Sequence, residues 1–277
     1  MNGTDPRASF TELVHGRDCI PLDRAALLIA AEEYRDLVIN TYLTKLDRLA
    51  ERVAVQRHGD AGPYETLERM RAVLVEEEGF TGNTEEYYDP RNSFLNDVLD
   101  RKTGIPIALA TVYMEVGRRI DFRLEGIGFP GHFLIKHVTQ TEEIIIDPFH
   151  EGEVLQREDL QMRLDASFGG RVRHEPTLLR SVTVNELLFR MLSNLKAIYI
   201  HTRDPARALA AVERMLVLNP LQSREQRDRG VLLARLDRPY EALSVLARYR
   251  ELEPDASDAN AVDTLMEQLK TKIAMEN

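Results

Sequence analysis

The chain has 277 residues, 43% of them hydrophobic, which is enough for a packed core without crosslinks. A single cysteine excludes an internal disulfide framework and a thiolate-rich zinc site, and fits a reducing compartment. The net charge of −10 repels phosphate backbones, and no run of Lys and Arg offers a local exception, so no nucleic-acid partner is expected.

The first residues, MNGTDPRASFTELVHGRD, are polar and contain no apolar stretch of the signal-peptide kind. No apolar run approaches the ~18 residues of a membrane span. The expectation is a cytoplasmic protein without a membrane partner. Residues 1–80 then read as helices that belong to a core domain. After Pro21, the positions Leu22, Ala25, Ala26, Ile29, Ala30 and Glu33 trace a mostly apolar helical stripe, and Leu43, Leu46, Leu49, Ala50 and Val53 continue it on a second helix. HGDAGP at 58–63 is a turn cluster, and YETLERMRAVLVEEEGF is a further helix closed by Gly79.

Residues 81–175 change character. A loop rich in turn formers, TGNTEEYYDPRNSFLN, leads into a short helix, FLNDVLDRK. Gly104 interrupts, and Pro106 suits the first turn of a new helix, where its absent N–H is not missed. That helix is apolar nearly all round, as a buried helix is. FRLEGIGF, HFLIKHV and EEIIIDPF read as strands, rich in Ile, Phe and Val and separated by short turns.

Residues 183–277 are helical again and repeat at 34 residues: ALAAVERMLVLNP ends at Pro220 and ALSVLARYRELEP at Pro254. That is the tetratricopeptide period. Ala208 and Ala242 take the small position between helices, Leu195 and Tyr199 fit the first helix of repeat one, and Gly230 takes the glycine slot of repeat two. DANAVDTLMEQLKTKIAM at 258–275 reads as a capping helix. Paired helices of this kind present surfaces for peptides or helices, and the alternative is that they only buttress the core.

The candidate chemistry lies in the last two strands. If TQTE at 139–142 is their hairpin loop, Val138 faces Glu143 and Leu134 faces Asp147. His132 and Asp147 then share a face as diagonal neighbours, roughly 7–8 Å apart between backbones. Phe133, Ile135, Ile144 and Ile146 take the other face. An Asp–His hydrogen bond would orient the imidazole as a base; a satisfied polar pair with no chemistry is the other reading. No metal is expected, because His132 and His137 point to opposite faces and His150 lies beyond Pro148 in a loop.

NSFLNDVLDRKTGIPIALATVYMEV, GIGFPGHFLIKH and IIIDPFHEG resemble the bacterial SirB-type proteins, as does AALLIAAEEYRDLVINTYLTKLDRLA. The resemblance spans roughly residues 10–260. It implies an α+β, mostly helical fold: a papain- or transglutaminase-like core with a small antiparallel sheet, followed by tetratricopeptide-like helical repeats. In active relatives of that core a cysteine opens the central helix, where the helix dipole lowers its pKa. Counting back from Arg118 puts that position at about Pro106, and Ile105, Pro106 and Ile107 offer no nucleophile. Thr103 is expected to cap the helix. Asn92, Ser93, Asn96, Thr103, Pro106 and Gly131 are cleft candidates beside the His132 and Asp147 pair; Arg91 and Tyr113 are expected in surface and core roles. Cys19 precedes a helix far upstream and reads as a small inert thiol.

The resulting expectation is a cysteine-less, degenerate transglutaminase-like protein. It would need no cofactor and would bind a protein or peptide through residues 183–277 and a vestigial cleft. The alternative is a hydrolase or acyltransferase that uses His132 as base, Asp147 as its orienter, and water or Thr103 as nucleophile.

Overall fold

The computed structural model describes residues 5–16, 19–55 and 61–276 and divides into two compact units, 1–191 and 192–277. The leading tetrapeptide and the first half of the 58–63 turn lie outside the described residues.

Unit one opens with four helices: α1 (Pro6–His15), α2 (Leu22–Ala31), α3 (Ile39–Val55) and α4 (Pro63–Arg71). The apolar stripe of α2 is buried at Leu22, Ala25, Ala26, Ile29 and Ala30, and that of α3 at Leu43, Leu46, Leu49, Ala50 and Val53. The helix expected to run up to Gly79 changes geometry after Arg71. Ala72–Glu77 is wound as a π-helix, and Gly79 closes it with φ +78°.

A two-residue strand β1 (Thr81–Gly82) follows, then α5 (Leu95–Arg101), then β2 (Thr103–Gly104), which pairs in parallel with β1. That small sheet was not foreseen, because two residues carry no periodicity. The central helix α6 (Pro106–Arg119) is buried at every position except Met114, Arg118 and Arg119. Its C-terminal end is held by a charge cluster. Arg119 reaches Asp23 on α2 (2.7 Å), Glu115 (2.7 Å) and Asp47 on α3 (2.6 Å). Burial opposes the Asp23 charge, yet Arg119 and Arg118 hold its carboxyl below the ordinary range. Burial and the neighbouring Asp23 push Glu115 up.

The main sheet is antiparallel in the order β3 (Glu125–Ile127), β4 (Leu134–Val138), β5 (Glu143–Asp147) and β6 (Glu153–Leu155). Val138 pairs with Glu143 and Ile135 with Ile146, so the register is the one the TQTE loop implies. One face buries Ile127, Leu134, Ile145 and Leu155 against Leu160 and Leu164 of α7 (Arg157–Phe168). The other buries Phe133, Ile135, Ile144 and Ile146. The strand expected over HFLIKHV is shorter than its apolar run: β4 begins at Leu134, and His132 sits in the preceding turn. β6 and α7 went unread, although Gln156 and Asp159 form a capping box and Gly169 takes the left-handed C-cap, both visible as residue types.

α8 (Val184–His201) runs from the first unit into the second. Unit two continues as α9 (Pro205–Leu218), α10 (Ser223–Arg235), α11 (Pro239–Leu252) and α12 (Ala259–Glu276). Ala208 and Ala242 are fully buried, as the 34-residue register requires. A Cβ at Gly230 would lie 2.5 Å from two side-chain carbons of Leu246. Lys196 meets Glu225 (2.7 Å) and Asp228 (3.0 Å), and Arg227 meets Asp258 (2.6 Å), so successive repeats are tied by charge as well as packing. Gly230→Ala is expected to destabilise the repeat unit by about 1–3 kcal/mol through overpacking. Denaturant unfolding followed by a probe placed in residues 192–277 should show the midpoint fall; an unchanged midpoint would mean Leu246 moves aside freely.

Candidate functional site

The turn between β3 and β4 presents His132. Its N–H bonds the carbonyl of Phe129 (3.0 Å), and Gly131 takes φ +72° beside Ser167, where a Cβ would come within 3.1 Å of the hydroxyl. At the end of β5, Pro148 starts a single 3-10 turn, and the Asp147 carboxylate caps it by accepting the N–H groups of Phe149 (3.0 Å) and His150 (3.3 Å).

That carboxylate, wholly buried, is a hub. His132 Nε2 lies 2.9 Å from both of its oxygens, His150 Nδ1 2.8 Å from Oδ2, and the Arg163 guanidinium on α7 3.1 Å from Oδ2. Burial alone would raise its pKa. Burial is the largest single effect, but the His132 hydrogen bond and charge, the His150 hydrogen bond and the Arg163 charge together outweigh it, and the carboxyl falls to about 2. An ionised carboxylate only accepts, so His132 carries its proton on Nε2 and leaves Nδ1 as the basic atom. By the same reasoning His150 donates from Nδ1, and the Arg163 N–H at 3.3 Å finds no lone pair there.

The expectation that His150 stands apart in a loop is therefore corrected. Pro148 turns the chain so that residues 147 and 150 meet, an i, i+3 contact readable from DPFH only with the turn in hand. His132, Asp147 and His150 bring one ligand atom each within 4.8 Å of one another, a spacing that a metal ion would accept. The Arg163 cation beside Asp147, and the two backbone N–H groups already on Oδ1, oppose a second positive charge. Nothing local in the sequence points to Arg163.

The site extends to the start of α6 through aromatic contacts. The His132 ring stands edge-on to Phe149, with centroids 5.7 Å apart. Phe149 covers Gly82, where a Cβ would lie 2.6 Å from its ring, and Gly82 pairs with Gly104, two residues before Pro106. Ile105 and Ile107 are each 2% exposed, and Pro106 is buried between them. Thr103 does not cap α6. The β1–β2 pairing moves the N-cap to Ile105, and the Thr103 hydroxyl bonds the Arg101 carbonyl instead (3.2 Å).

Asn92 is a brace. Its amide donates to the Glu86 carbonyl (2.7 Å), and its own carbonyl accepts the Ile105 N–H (3.1 Å). Ser93 and Asn96 are buried, and Ser93 Oγ, Asn96 Oδ1 and the Tyr113 hydroxyl find no hydrogen-bond partner among the described residues. Arg91 pairs with Asp89 at the surface (2.7 Å). Cys19 lines a cavity with Arg118 and Arg119, at the far end of a helix about 20 Å long.

Residues 40–193, over half of the chain, match the transglutaminase-like superfamily, and residues 195–267 match a tetratricopeptide repeat family. The UPF0162 protein of Xylella fastidiosa strain 9a5c is 35% identical over 248 residues, which is 88% of each chain. That of Vibrio cholerae is 30% identical over 232 residues, or 83% of this chain and 82% of its own. The chain belongs to the transglutaminase-like superfamily and, within it, to the bacterial UPF0162 or SirB-type proteins. Among solved structures, that of menin aligns with 96% of this chain and 75% of its own at 10% identity and a TM-score of 0.45.

Asp147 fixes a pH dependence. Its carboxyl is held below the usual 3.8, at about 2, so it adds stability above pH ~4 that is lost as pH falls through ~2, about 2 kcal/mol in all. Urea titrations over that window should show the loss in the wild type and its absence in Asp147→Asn, which is less stable at neutral pH. Parallel curves for the two proteins would remove Asp147 from that role.

Proposed function

We propose that the protein is a binding module: a transglutaminase-like core without a thiol, joined to a repeat unit that engages a protein partner. The observation that carries the reading is the first turn of α6. Where a cysteine would sit, Ile105, Pro106 and Ile107 are packed into the core, and no hydroxyl or thiol replaces it. Thr103 Oγ1 is occupied by a carbonyl, and Cys19 lies at the other end of the helix. A covalent acyl intermediate therefore has no atom to form on in the first turn of α6. The repeat unit supports the same reading. Its packing register is intact, and Ile200, Leu221 and Leu252 are exposed apolar side chains on it, 43%, 84% and 54% accessible.

The second reading, water activation by His132, is favoured by one observation: an imidazole held on an ionised carboxylate with Nδ1 unbonded among the described residues. Two measurements decide between them. Incubation with p-nitrophenyl acetate and peptide anilides is expected to give neither an acyl adduct nor turnover dependent on His132. Turnover in the wild type that His132→Ala abolishes would establish the hydrolase instead. Photo-crosslinking of the full chain is expected to capture a specific partner that Ile200→Glu, Leu221→Glu or Leu252→Glu releases; a partner kept by all three would place binding elsewhere.

A further inference from the structure

The C-terminal end of α6, away from His132, walls a second cavity. It holds about 830 Å³, within the range of small-molecule pockets, and all its lining residues belong to the first unit. Leu43, Met114, Phe122, Leu124 and Val184 give it apolar surface. The charge cluster at the end of α6 lines it too, together with Arg24, Asp121 and Arg123.

The cluster is one cation short. Asp23, Asp47 and Glu115 share only Arg118 and Arg119. The other charges of the lining do not make up the difference. Arg123 is taken by Glu125 (2.9 Å), which is not part of the lining. Arg24 and Asp121 form no ion pair among the described residues, and as one charge of each sign they leave the balance unchanged.

Glu115 shows where the missing charge belongs. It is 2% exposed, yet it lines the cavity. Its guanidinium contacts all fall on one oxygen: Oε2 accepts Arg118 Nε (2.9 Å), Arg118 Nη2 (2.8 Å) and Arg119 Nη1 (2.7 Å). Oε1 accepts no hydrogen bond among the described residues and is not sealed from solvent. Asp23 has no such spare oxygen, because Oδ1 takes the Arg24 N–H (2.7 Å) and Oδ2 takes both guanidiniums (3.2 and 2.7 Å). A buried carboxylate thus presents one unpartnered oxygen to the cavity. Burial and the adjacent Asp23 charge push the Glu115 pKa up, as expected of a carboxylate short of cationic partners.

We propose that this cavity binds a small organic amine, with its ammonium on Glu115 Oε1 and its apolar group against the side chains around Met114. An ammonium restores the charge balance and supplies the donor that Oε1 lacks. A neutral hydroxyl would supply the donor alone, and a carboxylate would add to the excess negative charge. The apolar lining favours an amine carried on a hydrocarbon group over a bare ammonium ion. The site depends on neither reading of the His132–Asp147 pair.

The probe is phenethylamine, with phenethyl alcohol and hydrocinnamate as its neutral and anionic counterparts. Each is titrated at neutral pH into the full-length protein, isotopically labelled at its methionine methyls. The Met114 methyl resonance, assigned by its loss in Met114→Leu, reports on this cavity. The amine is expected to shift it saturably and to bind roughly ten- to a hundredfold more tightly than the alcohol, the gain from one charge-assisted contact. The acid is expected to leave it unmoved. Glu115→Gln is expected to bring the amine down to the level of the alcohol. If Glu115→Gln fails to fold, the comparison of the three compounds in the wild type decides alone. Equal affinities for amine and alcohol, or no shift with the amine, would overturn the proposal. So would a stronger response to the acid, which would make Arg24 and Arg118 the binding groups. N-acetyl-lysine amide binding more tightly than phenethylamine would move the ammonium onto a protein side chain and overturn the small-molecule assignment.

Discussion

The buried carboxylate of Asp147 is the constraint on which the arrangement of the site depends. It ends β5, caps the turn that follows, orients one imidazole from the β3–β4 turn and another from its own turn, and ties α7 through Arg163. Several charge-assisted donors on one buried group are worth more together than singly, because the low local dielectric that would punish an unpaired carboxylate strengthens every bond to a paired one. The geometry is unforgiving for the same reason. Removing a partner leaves the carboxylate under-satisfied, so site and fold are coupled at this residue.

That coupling bears on what the His–Asp pair means. In a thiol enzyme an oriented imidazole works because a nucleophile stands opposite, at the positive end of a helix. Here the helix end has become packing. Ile105 and Ile107 are turned into the core, and Asn92 holds the backbone of Ile105 from the adjoining loop. A structural explanation for keeping Asp147 exists independently of catalysis, since it caps a turn and links three elements. The pair therefore does not by itself argue for a reaction.

Much of the fold was legible because it rests on short-range rules. The TQTE loop set the β4–β5 register, which placed Leu134 opposite Asp147, and the 34-residue spacing of Ala208 and Ala242 identified the repeats. What stayed hidden depends on contacts distant in sequence. The edge pairing of Thr81–Gly82 with Thr103–Gly104 has no period to detect, yet it displaced Thr103 from the helix cap. The π-helical turn at Ala72–Glu77 changes hydrogen bonding without changing residue type. His132 and Asp147 were found from alternation alone, although His132 reaches the carboxylate from a turn and not as a cross-strand neighbour. Arg163 and Arg190 come from helices 16 and 43 residues past Asp147, and only folding brings them there.

The two arginines also show how one residue type divides between duties. Arg163 completes a carboxylate and is spent on structure. Arg190 has only carbonyl dipoles, which stabilise its charge partially and leave donors over. A fold that needed merely a brace between α8 and the His132 turn could use a neutral donor and avoid the desolvation of a charge. The Arg190 charge is instead shared among those carbonyl dipoles and the face of the Phe133 ring, 5.4 Å from the guanidinium, where no carboxylate reaches it among the described residues.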